Sequence, residues 1–147
     1  MKQEFIVWTN KTRPPSTADI TSALAAAGFS CHVQVPQGGE QDLSQWTSIR
    51  LDGSAEGELT SCLVTAVTPS SENIRQMAED YENLPFQVKN AARKYIITAD
   101  SDEYGQPTLF QLRVVATITA LTHGVVEDPQ ESGLMLLDEF EDFIAST

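Results

Sequence analysis

Residues 46–67 read WTSIRLDGSAEGELTSCLVTAV, and their alternation decides the fold class. Trp46, Ser48, Arg50 and Asp52 fall on one side of an extended chain, with Thr47, Ile49 and Leu51 on the other, which is the two-residue period of a strand. The pair Asp52-Gly53 carries turn chemistry and is expected to end that strand. Beyond the short acidic link SAEGE, residues 59–67 form a second β-rich run, so a hairpin is expected. Upstream, residues 31–36 (CHVQVP) alternate as well, with Cys31, Val33 and Val35 opposite His32 and Gln34. The turn-rich stretch QGGEQDLSQ joins this strand to the next. Three consecutive strands on such connections favour antiparallel pairing.

Working outward, EFIVWT at 4–9 is β-branched and aromatic and reads as a first strand, followed by a loop holding Pro14 and Pro15. Ser16 or Thr17 caps a helix over 17–27, where Ile20, Ala23, Leu24 and Ala27 lie at helical spacing and Gly28 stops it. Thr68-Pro69 opens another helix with Ile74, Met77, Ala78 and Tyr81 on its apolar face. Leu84-Pro85 interrupts it, and Phe86, Val88, Ala91 and Ala92 form a short continuation before a strand at 95–99 (YIITA).

After the loop DSDEYGQ, the longest helix runs from Pro107 to about His123. Leu109, Leu112, Val115, Ala116 and Thr119 occupy one side and Val114, Ile118 and Leu121 another, as a central packing element requires. Gly124 closes it, Val125-Val126 begin a short strand, and Asp128-Pro129 turns the chain. From Leu134 a helical pattern resumes, with Leu136, Phe140, Phe143 and Ile144 on the inward face and Asp138, Glu139, Glu141 and Asp142 on the wet one. Strands and helices mix without strict βαβ alternation. The expectation is one α+β domain over residues 1–147, a mostly antiparallel or mixed sheet with helices packed on one face, of ferredoxin-like flavour.

The net charge of -12 is unevenly spread, because the last basic residue is Arg113 and seven carboxylates follow it. With 41% hydrophobic residues the chain is not compositionally disordered, so the charge decorates a folded body. Such a field repels nucleic acid and anionic membranes and attracts basic partners. No apolar leader precedes Glu4, and the apolar run from Leu109 to Val126 contains Gln111, Arg113 and His123. Neither an export signal nor a membrane span is expected, which points to the cytoplasm and to free thiols at Cys31 and Cys62. A disulfide between them would require their strands to be neighbours.

The chemistry-bearing residues are few. Soft metal ligands comprise Cys31, His32, Cys62 and His123, without CxxC, HxxxH or HExxH spacing, and Cys31 and His32 face opposite ways in one strand. No metal and no cofactor are expected. Cys31 or Cys62 with His123 and a carboxylate could form a nucleophilic set, but the spacing does not select it, and His123 before Gly124 reads as a helix C-terminal cap. Gly38-Gly39 is followed by Glu40 and Asp42, which would repel phosphate, and neither nucleotide-binding fingerprint is present. Asp100-Ser101-Asp102-Glu103 has fragments of a calcium loop without its glycine and terminal glutamate. Trp8, Trp46, Phe5 and Tyr95 read as core aromatics.

The run ALTHGVVEDPQESG at 120–133, at the end of a long apolar helix, resembles a local pattern of small bacterial proteins similar to immunity proteins of polymorphic toxin systems, including contact-dependent and type VI effectors. His123 stands where a second glycine is common in that pattern. The resemblance covers about the final quarter of the chain and implies an intracellular bacterial protein of α+β build, with no functional residue carried over.

The leading expectation is a non-enzymatic protein that occludes a basic partner. The acidic helix face (Asp138, Glu139, Glu141, Asp142) and the loop carboxylates Asp100, Asp102 and Glu103 are the candidate contact residues. The alternatives are a small enzyme or ligand-binding domain with a pocket between sheet and long helix near His123, Cys62 or Tyr104, an anionic nucleic-acid mimic, and a structural subunit whose acidic face serves solubility.

Overall fold

The computed structural model describes residues 2–34, 46–55, 58–131 and 133–146. Val35, Pro36 and the connection 37–45, with Gly38-Gly39, Glu40 and Asp42, lie outside them. Among the described residues seven strands form one sheet: β1 (Lys2–Thr9), β2 (Ser30–Gln34), β3 (Ser48–Ala55), β4 (Glu58–Val67), β5 (Arg93–Asp100), β6 (Val125–Asp128) and β7 (Gly133–Met135). Their order is β2-β3-β4-β5-β1-β6-β7, and every neighbouring pair is antiparallel. The α+β class is therefore as expected. The likeness to a ferredoxin-like sheet ends at the class, because β2 to β5 form a four-strand meander that closes on β1.

The helices are α1 (Thr17–Ala26), α2 (Ser71–Asp80), α3 (Phe86–Lys89), α4 (Leu109–Thr122) and α5 (Leu137–Ala145). Ser16 caps α1 through the Asp19 amide, and Gly28 at φ 94° turns the chain after it. Ser70 and Asn73 form a reciprocal capping box on α2. Thr108 caps α4 by accepting from the Gln111 amide at 3.1 Å.

Alpha-helix α4 is the centre of the main core. Leu112, Val114, Val115 and Ile118 are fully buried, each worth roughly 1.5–3 kcal/mol relative to exposure. They pack with Ile20 and Leu24 of α1, Phe140 and Ile144 of α5, and Phe5, Val7, Ile49, Leu51, Val64, Tyr95 and Ile97 of the sheet. Leu109 and Leu121, at the two ends of α4, are exposed rather than inward. Trp8 and Trp46 are buried with Phe5 and Tyr95, as core aromatics should be.

Helices cover both faces of the sheet, not one. On the far side Trp8, Met77, Leu84 and Val88 form a second cluster, with Ile6, Ile74, Tyr81, Ala91 and Leu134 against it. The reason is the pleat of β1: Phe5 and Val7 point to α4, which turns Ile6 and Trp8 to the opposite face, where α2 and α3 shelter them. Phe86, expected on the apolar side of α3, is exposed.

Two local expectations are overturned. Asp52-Gly53 is no turn: both residues lie inside β3, which pairs with β4 as far as Ala55↔Glu58. Gly53 is there because the Phe110 ring lies against it, so a Cβ would come within 2.2 Å of that ring. The C-terminal helix also starts later than Leu134, because Gly133–Met135 form β7 beside β6. Leu136 becomes the exposed residue ahead of the helix, and Leu137, Phe140, Phe143 and Ile144 seat it.

Candidate functional site

The predicted acidic residues divide between structural and free roles. On α5, Glu139 accepts from the Leu136 amide at 2.9 Å and so caps the helix, where a carboxylate also complements the helix dipole. Glu141 takes both of its oxygens to Arg113 Nη1 of α4, at 2.9 and 3.1 Å. Asp138 bonds the Glu139 amide and Asp142 makes no side-chain bond among the described residues, so these two are the available carboxylates of that face. In the loop after β5, Asp102 Oδ1 accepts from the Tyr104 and Gln106 amides at 2.8 and 2.9 Å and shapes the turn itself. Asp100 pairs with Lys2 at 3.1 Å in full solvent, a contact worth little. Glu103 is exposed.

Strand register sorts the charge along the sheet. Lys2↔Asp100 puts the 100–103 carboxylates at the N-terminal end of β1. Gln130 Oε1 receives the Glu4 amide at 2.8 Å, which brings the Asp128–Glu131 turn to the same end. Gln3 Nε2 fixes the acidic loop there by donating to Gly105 O at 3.0 Å. At the other end, Thr9↔Arg93 and Trp8↔Lys94 place Arg93 and Lys94 beside the segment carrying Lys11 and Arg13. Arg113 lies in the second turn of α4, so its bond to Glu141 draws that carboxylate toward the acidic end, while the pairing of Met135 with Val126 and of Val126 with Val7 starts α5 nearer the other end.

The polar face of β2–β4 carries a cluster that local sequence reading misses. Asp52 Oδ1 receives Ser61 Oγ at 2.7 Å and Arg50 Nε at 2.9 Å, while Oδ2 receives Gln34 Nε2 at 2.8 Å. His32 stands opposite Asp52 in the register. The Ser61 hydroxyl bond, with further help from Arg50 and His32 and against some desolvation, holds the Asp52 carboxyl below its ordinary value. A carboxylate made less basic is a poor general base, and Ser61 donates straight to it with no imidazole between them, so the arrangement lacks the base of a nucleophilic triad. His32, Arg50, Asp52 and Ser61 line a groove of about 1620 Å³ at the acidic end, with Phe29, Gly53 and Phe110 among the other walls. Reading Asp52-Gly53 as a turn hid the cluster, since the four side chains meet only through cross-strand pairing.

The remaining chemical candidates are dispersed. Burial, reinforced by Asp52, raises the Cys31 thiol to about 11, and burial raises Cys62 further, so both stay protonated and unreactive. Their strands β2 and β4 are separated by β3, and both thiols are free. His123 is the C-terminal cap residue of α4 in the left-handed conformation at φ 54°, the place a glycine usually fills. Gly124 serves a different need, because a Cβ there would meet Trp8 O and Val7 Cγ1 at 2.8 Å. His123, buried Cys62 and exposed Tyr104 do not converge on one pocket: none of them lines the groove that holds Cys31. Glu127 accepts Trp8 Nε1 at 3.0 Å and Tyr81 Oη at 3.2 Å, and desolvation followed by this carboxylate raises the Tyr81 hydroxyl to about 12. Among the described residues, no group of three His, Cys, Asp or Glu side chains is placed to hold a metal ion, and no helix is long and apolar enough to cross a membrane.

Comparison with known protein families, with curated proteins and with solved structures found no match to this chain.

Proposed function

We propose that this chain is a non-enzymatic binding protein of the bacterial cytoplasm that neutralises a basic partner, as a toxin immunity protein acting by occlusion. The observation that carries the reading is the sorting of charge along the strands. Asp100, Asp102, Glu103 and Glu131 gather at one end, while Lys11, Arg13, Arg93 and Lys94 lie at the other. A uniformly acidic body attracts a cationic protein in any orientation. A polarised one turns its acidic end toward the approaching charge, which raises the productive encounter rate and penalises wrong poses.

Asp138 and Asp142 on α5, with Glu103 in the loop, are the contact carboxylates on this reading, because Glu139, Glu141 and Asp102 already hold their own elements together. The test is co-expression with the product of the adjacent gene. The chain should restore growth, and the association rate should fall steeply with added salt. Joint reversal of Asp138, Asp142 and Glu103 to lysine should slow association at least tenfold without moving the dissociation rate comparably. A salt-independent rate, or unchanged association after the triple reversal, would refute the proposal.

The groove beside Asp52 favours one other reading, a small-ligand site at the end of the sheet. It has aromatic walls in Phe29 and Phe110 and a polar rim in Asp52 and Ser61, the usual mixture of a ligand pocket.

A further inference from the structure

The basic end of the sheet contains a notch that no carboxylate of the described residues closes. Thr12, Arg13, Trp46, Thr47, Thr68 and Arg93 line a recess of about 490 Å³, and among the described residues no Asp or Glu is in its walls. In a chain with 21 acidic and 9 basic residues, two guanidiniums with no described acid between them run against the composition. The notch is built by the fold rather than by one flexible stretch. Thr9 pairs with Arg93, the Ala66 amide donates to Thr47 O and the Ala92 amide to Thr9 O, both at 2.8 Å. The buried indole of Trp46 pins the 12–16 segment by donating Nε1 to Pro15 O at 2.8 Å.

Arg93 is already oriented. Its Nη1 donates to Thr68 Oγ1 at 2.7 Å and to Ala92 O at 3.0 Å, two neutral acceptors that fix the plane without compensating the charge. The Nε and Nη2 edge makes no bond among the described residues, and Arg13 makes no ion pair among them. A planar fork with a free edge matches two oxygens of a phosphate or carboxylate.

We infer that this notch is a binding site for the phosphate group of a small phosphate ester, held two-pronged by Arg93 and neutralised by Arg13, with the Thr12 and Thr47 hydroxyls as further donors. The recess exceeds a bare oxyanion and falls within the range of small-molecule pockets. An extended polyanion is opposed by the net charge of -12, whereas a compact ester samples chiefly the local positive field.

The experiment is a titration of the full chain with phenyl phosphate and with inorganic phosphate at constant ionic strength, followed by amide and arginine Nε proton–nitrogen spectra. Saturable shifts are expected at residues 12–13, 47, 68 and 93, tighter for the ester if the recess accepts its organic part and equal if only the oxyanion is read. Arg13→Gln and Arg93→Gln should each weaken binding about tenfold, and Arg93→Lys should do the same because it keeps the charge but loses the fork. Lys89→Gln removes the same charge outside the notch and should leave affinity within about twofold, as expected of a screened distant charge. Linear shifts without saturation would overturn the inference, and so would equal losses from Lys89→Gln and Arg13→Gln. If Arg93→Gln loosens the fold by losing Thr68, Arg13→Gln decides, since Arg13 is exposed and tethers nothing among the described residues.

Discussion

Replacing Gly53 by alanine would drive a methyl group into the Phe110 ring. The added Cβ would stand 2.2, 2.4 and 2.7 Å from three ring carbons, against an optimum of about 3.5–4.0 Å for carbon pairs. The ring cannot simply swing away, since Phe110 is 2% exposed and packs on Phe29 with centroids 5.6 Å apart. Overpacking of this kind costs about 1–3 kcal/mol, and the ring's confinement places Gly53→Ala in the upper half of that range. The backbone gain from removing a strand glycine offsets roughly 0.5–1 kcal/mol, leaving a net loss of about 2 kcal/mol. In urea, with a slope of about 1–3 kcal/mol/M, the midpoint should fall by about 1 M with an unchanged slope.

The decisive comparison is a double-mutant cycle. Phe110→Ala alone should cost about 3–5 kcal/mol through its cavity. Once the ring is gone, the Gly53→Ala methyl enters vacated space, so the double variant should be no less stable than Phe110→Ala. Equal costs for Gly53→Ala in both backgrounds would refute the claim that Phe110 is why position 53 is glycine.

Three further outcomes are expected. His123→Gly should stabilise the protein by about 0.5–1 kcal/mol, because a left-handed residue costs a non-glycine side chain about 1–2 kcal/mol and glycine's extra unfolded-state entropy returns part of it; a lower urea midpoint would contradict the capping role. Asp52 has a folded-state pKa below its ordinary value of 3.8, so its stabilising effect is present above that value and is lost as pH falls through the lower folded one. Ser61→Ala should move the Asp52 titration midpoint up in carboxyl-carbon spectra, and an unmoved midpoint would remove Ser61 as the main cause. Glu127→Ala leaves buried Trp8 Nε1 without its acceptor and should cost about 1–3 kcal/mol by urea unfolding. The same change should bring the Tyr81 midpoint down only part-way from about 12, since desolvation remains its largest cause.

Much of the fold was legible because its determinants are local. Ser16 before α1, Gly28 after α1 and Pro85 between α2 and α3 act through neighbours a few residues away. Alternation in 31–34 likewise placed Cys31 and Val33 toward the core and His32 and Gln34 toward solvent. The errors share one cause. Asp52-Gly53 has turn chemistry in isolation, but a ring from α4 occupies the glycine's missing side chain. Leu134 and Met135 fit a helical period in isolation, but their pairing with Glu127 and Val126 claims them for the sheet.

The candidate site divides along the same line. By itself the sequence determined the acidic balance, the absence of recognisable cofactor loops and the outward face of α5, since composition and helical period need no partner. Only the tertiary structure decided which carboxylates remain available, because Glu141 meets Arg113 across 28 residues and Glu127 receives Trp8 Nε1 across 119. It likewise decided that Arg13 and Arg93 share one notch, and that Gln34, Arg50, Asp52 and Ser61 share one network. Contacts between strands distant in the chain depend on order and register, and these follow from burying one common set of apolar faces rather than from any local run of residues.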